Sequence, residues 1–317
     1  MTERERFIRA LRREPLTGHV PTFELVFFLT MEAIGRVHPS HRFYEQWDQM
    51  TVRERELQLQ DMAGCYIEIA QKYHHSAIFV HPNPGRPADV KRLLEIIRER
   101  TGNEYYLTMH GDPTYSIPDG DHIVDFSIAM YEEPERLKAE SRRRVDEALE
   151  RAARLAHTGL LDGYTLGADY CFNVNPFFSP EQFAEFIVPD LKRVIAGYHE
   201  LGYYAVKHTD GNILPILDQL VDCGPDALHS LDPQAGVDLA DVKRRYGNRV
   251  ALCGNVNCGL LQTGTEEECA ADTRRALRQG MEGWGYIFCT SNCAYTGLPL
   301  ARYELMHSIW WNEGVYS

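Results

Sequence analysis

The chain lacks several features that would assign it to common protein classes. None of its apolar runs approaches the roughly 18 residues that a membrane-spanning helix needs. Residues 2–6 are mostly charged, unlike a secretory signal. No Gly-x-Gly-x-x-Gly follows the first apolar run, which removes the commonest nucleotide-binding form of an open α/β sheet. We therefore expect a cytoplasmic protein that does not enter a membrane.

Positive charge is also in short supply. The 317 residues include 33 Lys and Arg against 46 Asp and Glu, for a net charge of −13. That balance disfavours nucleic acids and anionic membranes as partners. The 8 cysteines form no Cys-x-x-Cys pair and do not suggest a disulfide scaffold. Most of them should be buried as small apolar side chains.

Short apolar runs recur along the whole chain, and each is followed by a helical stretch. Several runs are continuously apolar, as expected for strands that are buried on both faces. Eight such strand–helix units predict one (β/α)8 barrel, a TIM barrel, as a single domain over residues 1–317. An open, doubly wound sheet is the alternative. The predicted strands are Val20–Val26, Ser76–His81, Glu104–Met109, Gly163–Gly167, Tyr203–Lys207, Ala227–Leu231, Arg249–Cys253 and Gly285–Cys289.

Helix starts are marked by Ser or Thr followed three residues later by Glu or Gln, the capping-box pattern. It occurs at Thr2, Thr51, Ser179 and Thr265. The segment from Pro134 to His157 has the apolar spacing of one amphipathic helix.

Polar side chains follow nearly every predicted strand, and in a barrel these positions line the mouth. His208 and Asp210 are two residues apart, so in an extended segment they face the same way. Cys293 follows the eighth strand, and Glu24 belongs to the first strand, which is its neighbour in a closed barrel. Imidazole, carboxylate and thiol are ligands that zinc prefers. His208, Asp210, Cys293 and Glu24 are therefore candidate metal ligands; the alternative is a metal-free polar site.

The remaining strand-end residues are candidates for catalysis and substrate binding. Asp169 follows the fourth strand and, with His208 and Asp210, is a candidate catalytic group. Substrate-binding candidates at the other strand ends share polar or aromatic side chains. They are Glu24, His81, His110, Tyr170, Asn255 and Asn292.

Several short motifs together resemble one known superfamily. They are the helix before Val20-Pro21, Ser179-Pro180-Glu181-Gln182-Phe183 with Pro189, Lys207-His208-Thr209-Asp210-Gly211-Asn212, Leu231-Asp232-Pro233, Cys253-Gly254-Asn255-Val256 and Ser291-Asn292-Cys293. On these motifs the chain resembles the uroporphyrinogen decarboxylase superfamily over nearly its whole length. The resemblance implies a (β/α)8 barrel and one of two activities: tetrapyrrole decarboxylation, or methyl transfer with corrinoid proteins.

The two activities differ in their strand-end residues. True decarboxylases of the superfamily carry an arginine-rich segment after the first strand, whereas residues 21–28 here contain no arginine. A substrate with many carboxylates needs such cations. The zinc methyltransferases of the superfamily use a His-x-Cys pair and a later cysteine. His208 and Cys293 match this pattern, and Asp210 stands where the family has its first cysteine.

The sequence thus favours a methyltransferase that moves a methyl group between a small methylated compound and a corrinoid protein or thiol, assisted by Zn²⁺. The alternative is a metal-free carboxy-lyase of tetrapyrrole metabolism. A non-catalytic barrel that binds a corrinoid protein or tetrapyrrole is a third hypothesis. Candidate partners are a small-molecule substrate, a corrinoid protein that supplies the corrinoid, and a second copy of this chain as a homodimer.

Overall fold

The computed structural model describes residues 1–317 and contains a seven-stranded parallel sheet that curls into a barrel. The seven strands lie side by side in sequence order, from β2 to β8. Two further short strands, β1 and β9, pair antiparallel outside this sheet. The strands are β1 Gly18–His19, β2 Ala77–Val80, β3 Tyr106–His110, β4 Gly163–Leu166, β5 Tyr204–Thr209, β6 Ala227–Ser230, β7 Ala251–Val256, β8 Tyr286–Thr290 and β9 Val315–Tyr316.

The barrel is closed by an irregular segment, so the predicted regular strand Val20–Val26 is wrong. Thr22 forms a single parallel bridge with Phe288 of β8, and its carbonyl accepts the N–H of Ser76 at 2.6 Å, next to β2. The Pro21 carbonyl accepts the Phe288 N–H at 2.8 Å. Pro21 has no N–H to continue a ladder, and this explains the irregularity. The chain still fills the eighth position of a (β/α)8 barrel.

Helices surround the sheet and begin where the capping signals predict. All four predicted capping boxes are present. The helices are α1 Glu3–Leu11, α2 Thr30–Ile34, α3 Val52–Lys72, α4 Pro87–Thr101, α5 Ile123–Glu132, α6 Pro134–Ala153, α7 Pro180–Phe186, α8 Val188–Glu200, α9 Leu217–Asp222, α10 Leu239–Tyr246, α11 Cys258–Thr263, α12 Glu266–Met281 and α13 Leu300–Glu313. Short 3₁₀ turns lie at Pro39–His41, Trp47–Gln49, Leu214–Ile216 and Pro233–Ala235.

Most predicted boundaries differ from the structure by one to four residues. Helix α6 ends at Ala153, four residues before the predicted end at His157. Strands β3, β5 and β7 run further than predicted, so His110, His208 and Asn255 lie inside strands and not beyond them. The sequence pattern indicated that the strands end before these polar residues, but each residue is paired with a neighbouring strand of the barrel.

The amino-terminal end of the barrel is plugged by helix α1. Phe7 stacks on Tyr106 with ring centroids 4.5 Å apart and meets Phe23 edge-on at 5.3 Å. All three rings are buried, with Cys253 and Cys289 in the same apolar cluster. All eight cysteines are free thiols, and seven are buried. The plug leaves the carboxyl ends of the strands as the accessible end of the barrel.

The helices pack around the outside of the sheet. None combines the length and the apolar character that crossing a membrane requires.

Gly163 of β4 occupies a position with no space for a side chain. A Cβ there would lie 2.0 Å from the Tyr106 hydroxyl and 2.6 Å from the Tyr204 carbonyl. We expect Gly163→Ala to destabilise the protein by about 3 kcal/mol or more, because the backbone of β5 cannot retreat. Gly120→Ala is the control, since a Cβ there meets nothing within 4 Å. Urea unfolding of both variants checks this; equal stability would contradict it.

Candidate active site at the barrel mouth

The carboxyl ends of β4 and β5 bring two carboxylates and one imidazole together. One ligand atom from each of Asp169, His208 and Asp210 lies within 4.8 Å of the others. His208 Nε2 is 3.6 Å from Asp169 Oδ1 and 3.8 Å from Asp210 Oδ1. His208 and Asp210 face the same side because they are two residues apart in extended chain. The three candidate catalytic residues therefore converge on one point.

The carboxylate of Asp210 is held from both sides. Ser230 Oγ donates to Oδ1 at 2.7 Å, and Asn292 Nδ2 donates to Oδ2. The Asp210 N–H in turn donates to Asp169 Oδ1 at 3.0 Å. Burial raises the pKa of Asp210, although His208 and the Ser230 hydrogen bond oppose that rise. Asn292, a candidate substrate-binding residue, thus orients the carboxylate of Asp210.

Gly211 explains how the chain can turn immediately after Asp210. Its φ is +82°, in the left-handed region that disfavours side chains. A Cβ at this position would also lie 2.5 Å from the Cys171 carbonyl oxygen. The Asp-Gly dipeptide therefore lets the loop after β4 lie directly over the end of β5.

A buried chain of polar side chains runs from His208 into the barrel. His208 Nδ1 lies 2.8 Å from His229 Nδ1, and His229 Nε2 lies 3.5 Å from Cys289 Sγ. Burial, followed by the nearby His208, lowers the pKa of His229, so that ring is neutral. Only one hydrogen can lie between the two Nδ1 atoms. Since Nδ1 of His208 is engaged inside, its Nε2 is left to face the two carboxylates.

A buried ion pair lies beneath this cluster. Lys207 Nζ is 2.7 Å from Asp112 Oδ2 and 2.8 Å from the Ala168 carbonyl, and its side chain has no exposed surface. It also lies 4.1 Å from the centroid of the Tyr170 ring. Lys207, together with hydrogen bonds from Thr114 and Ala168, outweighs burial and lowers the pKa of Asp112 to about 2.

Glu24 is buried beside the last strand. Thr290 Oγ1 donates to Glu24 Oε2 at 2.6 Å, and the Thr290 N–H reaches Oε1 at 3.3 Å. Burial raises the pKa of Glu24 to about 8, against the opposing effect of the Thr290 hydrogen bonds. At neutral pH this carboxyl is mostly protonated, and it holds the irregular first segment against β8.

Cys293 is the one cysteine that is not fully buried. Enclosure by the protein raises its pKa well above the usual value, and Cys258, Glu24 and Asp210 raise it further. The thiol is therefore neutral in the absence of a nearby cation. Asp210 lies close enough to affect the pKa of Cys293, but Cys293 is outside the three-residue group formed by Asp169, His208 and Asp210.

The other candidate substrate-binding residues have different environments. His81 and His110 are exposed, and partial enclosure lowers the pKa of each. His110 and His208 both lie next to Gly167. A Cβ placed on Gly167 would be 3.0 Å from His110 Cε1 and 3.8 Å from His208 Cδ2, so His110 lies near the centre. Tyr170 and Asn255, by contrast, have no exposed surface.

These two buried residues hold the frame of the mouth. The Tyr170 hydroxyl is 2.6 Å from Thr114 Oγ1. Asn255 donates to the Leu231 carbonyl at 2.7 Å, and its own Oδ1 accepts from Arg275 at 3.0 Å. Their polar groups are thus already used within the protein.

Sequence reasoning missed the residues that support the centre from below: Lys207, Asp112, His229 and Ser230. A lysine and a histidine inside otherwise apolar strands were the available signal, since such residues are rarely buried without a partner. Their partners could not be inferred, because Asp112 and Lys207 are 95 positions apart.

The chemistry of this donor set fits a divalent cation such as Zn²⁺. It offers one imidazole nitrogen and two carboxylates, and the second ring nitrogen of His208 has the inner partner that metal-binding histidines usually have. His208 and Asp210 are among the predicted ligands, and Asp169 takes a third position. Glu24 and Cys293, the other predicted ligands, lie outside this group.

A closed parallel barrel with imidazole, carboxylates and a thiol at the carboxyl ends of its strands defines the class of (β/α)8-barrel enzymes. Within that class, the family model described as uroporphyrinogen decarboxylase (URO-D) matches residues 128–309. The match covers more than half of the chain, so the protein belongs to the uroporphyrinogen decarboxylase family.

Individual relatives are distant. A uroporphyrinogen decarboxylase from Shewanella pealeana is 29% identical over 120 residues, which cover 35% of this chain and 31% of that protein. One from Shewanella loihica is 29% identical over 116 residues, 33% of this chain and 30% of that protein. The chain thus spans about a third of the length of the curated relatives it matches.

Solved structures extend the likeness to the whole fold. A methyltransferase from Methanosarcina mazei superposes with a TM-score of 0.74 at 17% identity, covering 98% of both chains. A GH5_18 protein from Bifidobacterium longum subsp. infantis has a TM-score of 0.50 at 13% identity, covering 95% of this chain and 80% of the other. At these identities the likeness concerns the fold alone.

The Glu24 carboxyl should make stability depend on pH. Its folded pKa of about 8 exceeds the ordinary 4.5, so the folded state holds the extra proton between these values. Unfolding therefore becomes easier as pH rises from about 5 to 8, and the effect levels off above. Relative to Glu24→Gln, the wild type should lose melting temperature across this window. Glu150→Gln, an exposed change, controls for lost charge; parallel curves for wild type and Glu24→Gln would contradict the assignment.

The Lys207–Asp112 pair should be costly to break from one side. Lys207→Met leaves a carboxylate buried without its cation, and we expect a loss of about 3–5 kcal/mol in the free energy of unfolding. Removing both charges with Lys207→Met/Asp112→Leu should restore part of that loss. Arg143→Met removes one partner of an exposed pair and should cost less than about 1 kcal/mol. Urea unfolding decides; a double variant no more stable than the single one would argue against a charge penalty.

Proposed function

We propose that the protein is a methyltransferase that moves a methyl group between a small methylated compound and a corrinoid or thiol. The observation that supports this most is the convergence of Asp169, His208 and Asp210 at the accessible end of the barrel. The partly buried Cys293 thiol lies nearby. A corrinoid protein docked over the mouth would supply the corrinoid.

The residues of the centre have separate tasks in this proposal. His208, Asp169 and Asp210 would hold Zn²⁺, which when bound acts as a Lewis acid on a thiol or a leaving oxygen. Ser230 and Asn292 keep the Asp210 carboxylate turned toward the centre. His229 keeps the Nε2 edge of His208 facing outward. The side chain of Asp169 is 46% exposed, so it is the carboxylate best placed to exchange a proton with substrate or water.

The charge of the mouth argues against a polycarboxylate substrate. Two carboxylates lie at its centre, and none of the strand-end side chains there is an arginine. A tetrapyrrole with many carboxylates would meet like charges in place of the bidentate cations it requires.

The alternative activity is a metal-free carboxy-lyase reaction in which Asp169 or Asp210 stabilises a cationic intermediate. The protonated Glu24 carboxyl near the last strand is the observation in its favour, because a neutral acid can donate a proton to the electron-rich carbon from which CO₂ has departed.

A direct test is thiol-dependent demethylation of methylcobalamin, followed by absorbance in the presence of Zn²⁺. In this reaction the Co–C bond breaks with its electron pair left on cobalt, the S–C bond forms, and the thiol releases a proton. Asp169→Asn, Asp210→Asn and His208→Ala should each reduce the rate about 100-fold or more and lower zinc affinity, since each removes one of three ligands. Asp121→Asn, an exposed carboxylate outside the site, is the control.

Cys293→Ser separates two ligand sets. If the three-residue group alone holds the metal, this variant keeps its zinc affinity to within about tenfold. If Cys293→Ser instead loses as much zinc as Asp210→Asn, then Cys293 is a metal ligand, as the sequence predicts. Wild-type protein that neither binds zinc nor demethylates methylcobalamin, but releases CO₂ from uroporphyrinogen, would overturn the methyltransferase proposal in favour of the alternative.

A further inference from the structure

A second cavity lies beside the barrel mouth, between the start of α4, the end of α6 and the end of β3. Its volume is about 430 Å³, and it is open to solvent on one side. Its walls are largely apolar or aromatic and include Val90, Met109, Leu155, Tyr164 and Tyr198. Small-molecule sites in proteins usually have about 300–1,000 Å³, so this cavity can enclose a ligand of modest size.

The inner wall is rigid. Tyr164 and Tyr198 are stacked with ring centroids 4.4 Å apart and planes 19° from parallel. The Tyr198 hydroxyl donates to the Gly111 carbonyl at 2.6 Å. A side chain at Gly111 would collide with Tyr164, because a Cβ there would be 2.5 Å from its Cδ1. Both rings are buried, so they form a rigid floor beneath the cavity, and the partly exposed Met109 and Leu155 supply the apolar wall that a ligand meets.

The cavity has three cations around it, although the chain as a whole carries a net charge of −13. They are Lys91, Arg151 and Arg154, and all three are exposed. Arg154 forms no ion pair. Lys91 and Arg151 have only loose contacts, with Glu95 at 3.6 Å and Glu147 at 4.0 Å. These cations are free to receive an anionic group from a ligand.

The only acid that lines the cavity does not cancel this charge. Asp112 is already paired with Lys207, and its side chain is 1% exposed. An anion in the cavity would therefore meet three cations and no exposed carboxylate of the lining. At the inner end the cavity reaches His110, which neighbours His208 across Gly167.

From these features we propose that the cavity is a binding site for a small organic anion. The ligand has an apolar body that lies against Met109 and Leu155, above the rigid Tyr164–Tyr198 floor, and a carboxylate, sulfonate or phosphate that pairs with Arg151 and Arg154. Because the apolar wall and the cationic rim are separate, the cavity favours amphipathic ligands. Inorganic anions have no apolar surface that could be buried against the wall. This site is independent of the proposed methyl transfer and requires no metal.

The test uses two aromatic probes that differ in charge. 8-Anilinonaphthalene-1-sulfonate carries a sulfonate, whereas N-phenyl-1-naphthylamine has the same aromatic body without charge. Fluorescence titration should give saturable binding of both probes to the wild type. In Arg151→Gln/Arg154→Gln the affinity for the sulfonate should fall about tenfold or more, since two charged contacts are lost. Affinity for the neutral probe should stay within about twofold.

Two further sets of variants locate the probe. Arg142→Gln/Arg143→Gln removes the same charge from α6 outside the cavity and should leave both affinities unchanged. Ala148→Phe fills the cavity from its buried wall, and Ala88→Trp covers it from the exposed rim. Either variant, if its circular dichroism is that of the wild type, should abolish binding of both probes.

Three results would overturn the proposal: no saturable binding of the sulfonate to the wild type, an equal loss of affinity in the Arg142/Arg143 control, or binding that survives Ala88→Trp. The last result would place the probe on another apolar surface, such as the exposed face of α5 with Val124 and Ile128. Zinc and methylcobalamin play no part in these titrations, so failure here leaves the methyltransferase proposal unaffected.

Discussion

The buried salt bridge between Lys207 and Asp112 determines where the functional side chains of this protein lie. Lys207 donates to the Ala168 carbonyl, and Asp112 accepts the Ala168 N–H at 3.0 Å, so one pair of charges connects the ends of β3, β4 and β5. Asp169 directly follows Ala168, and His208 directly follows Lys207. Two of the three residues that form the centre are therefore each directly bonded in sequence to a residue that the pair holds, and neither can shift without disturbing it.

Burial keeps most of the polar interior uncharged. The pKa of Glu24 is raised, that of His229 is lowered, and those of Cys289 and Cys293 are raised, in each case chiefly because water is excluded. Charge in this end of the barrel is thus confined to the Lys207–Asp112 pair and to the carboxylates at the mouth. Such a distribution suits a reaction that needs one localised anionic centre inside a neutral wall.

The mouth also has two chemically different sides. On one side lie the carboxylates of Asp169 and Asp210; on the other, His110 leads toward a cavity with an aromatic floor and three cations. Acidic and cationic regions separated by one imidazole can bind two different molecules next to each other. This arrangement depends on the ends of β3 and β5 being held together by the buried pair.

The sequence by itself determined the barrel, its helix starts and the shared orientation of His208 and Asp210, because these follow from local periodicity, capping patterns and two-residue spacing. It also grouped Glu24 and Cys293 with them as metal ligands, whereas the structure brings Asp169 to that position. It did not determine the irregular closure at Pro21 or the full engagement of Asn255. Nor did it indicate that Lys207, His229 and Ser230 support the centre. Those features depend on contacts between residues far apart in the chain, and only the closed tertiary structure brings such residues within hydrogen-bonding distance and excludes water from them.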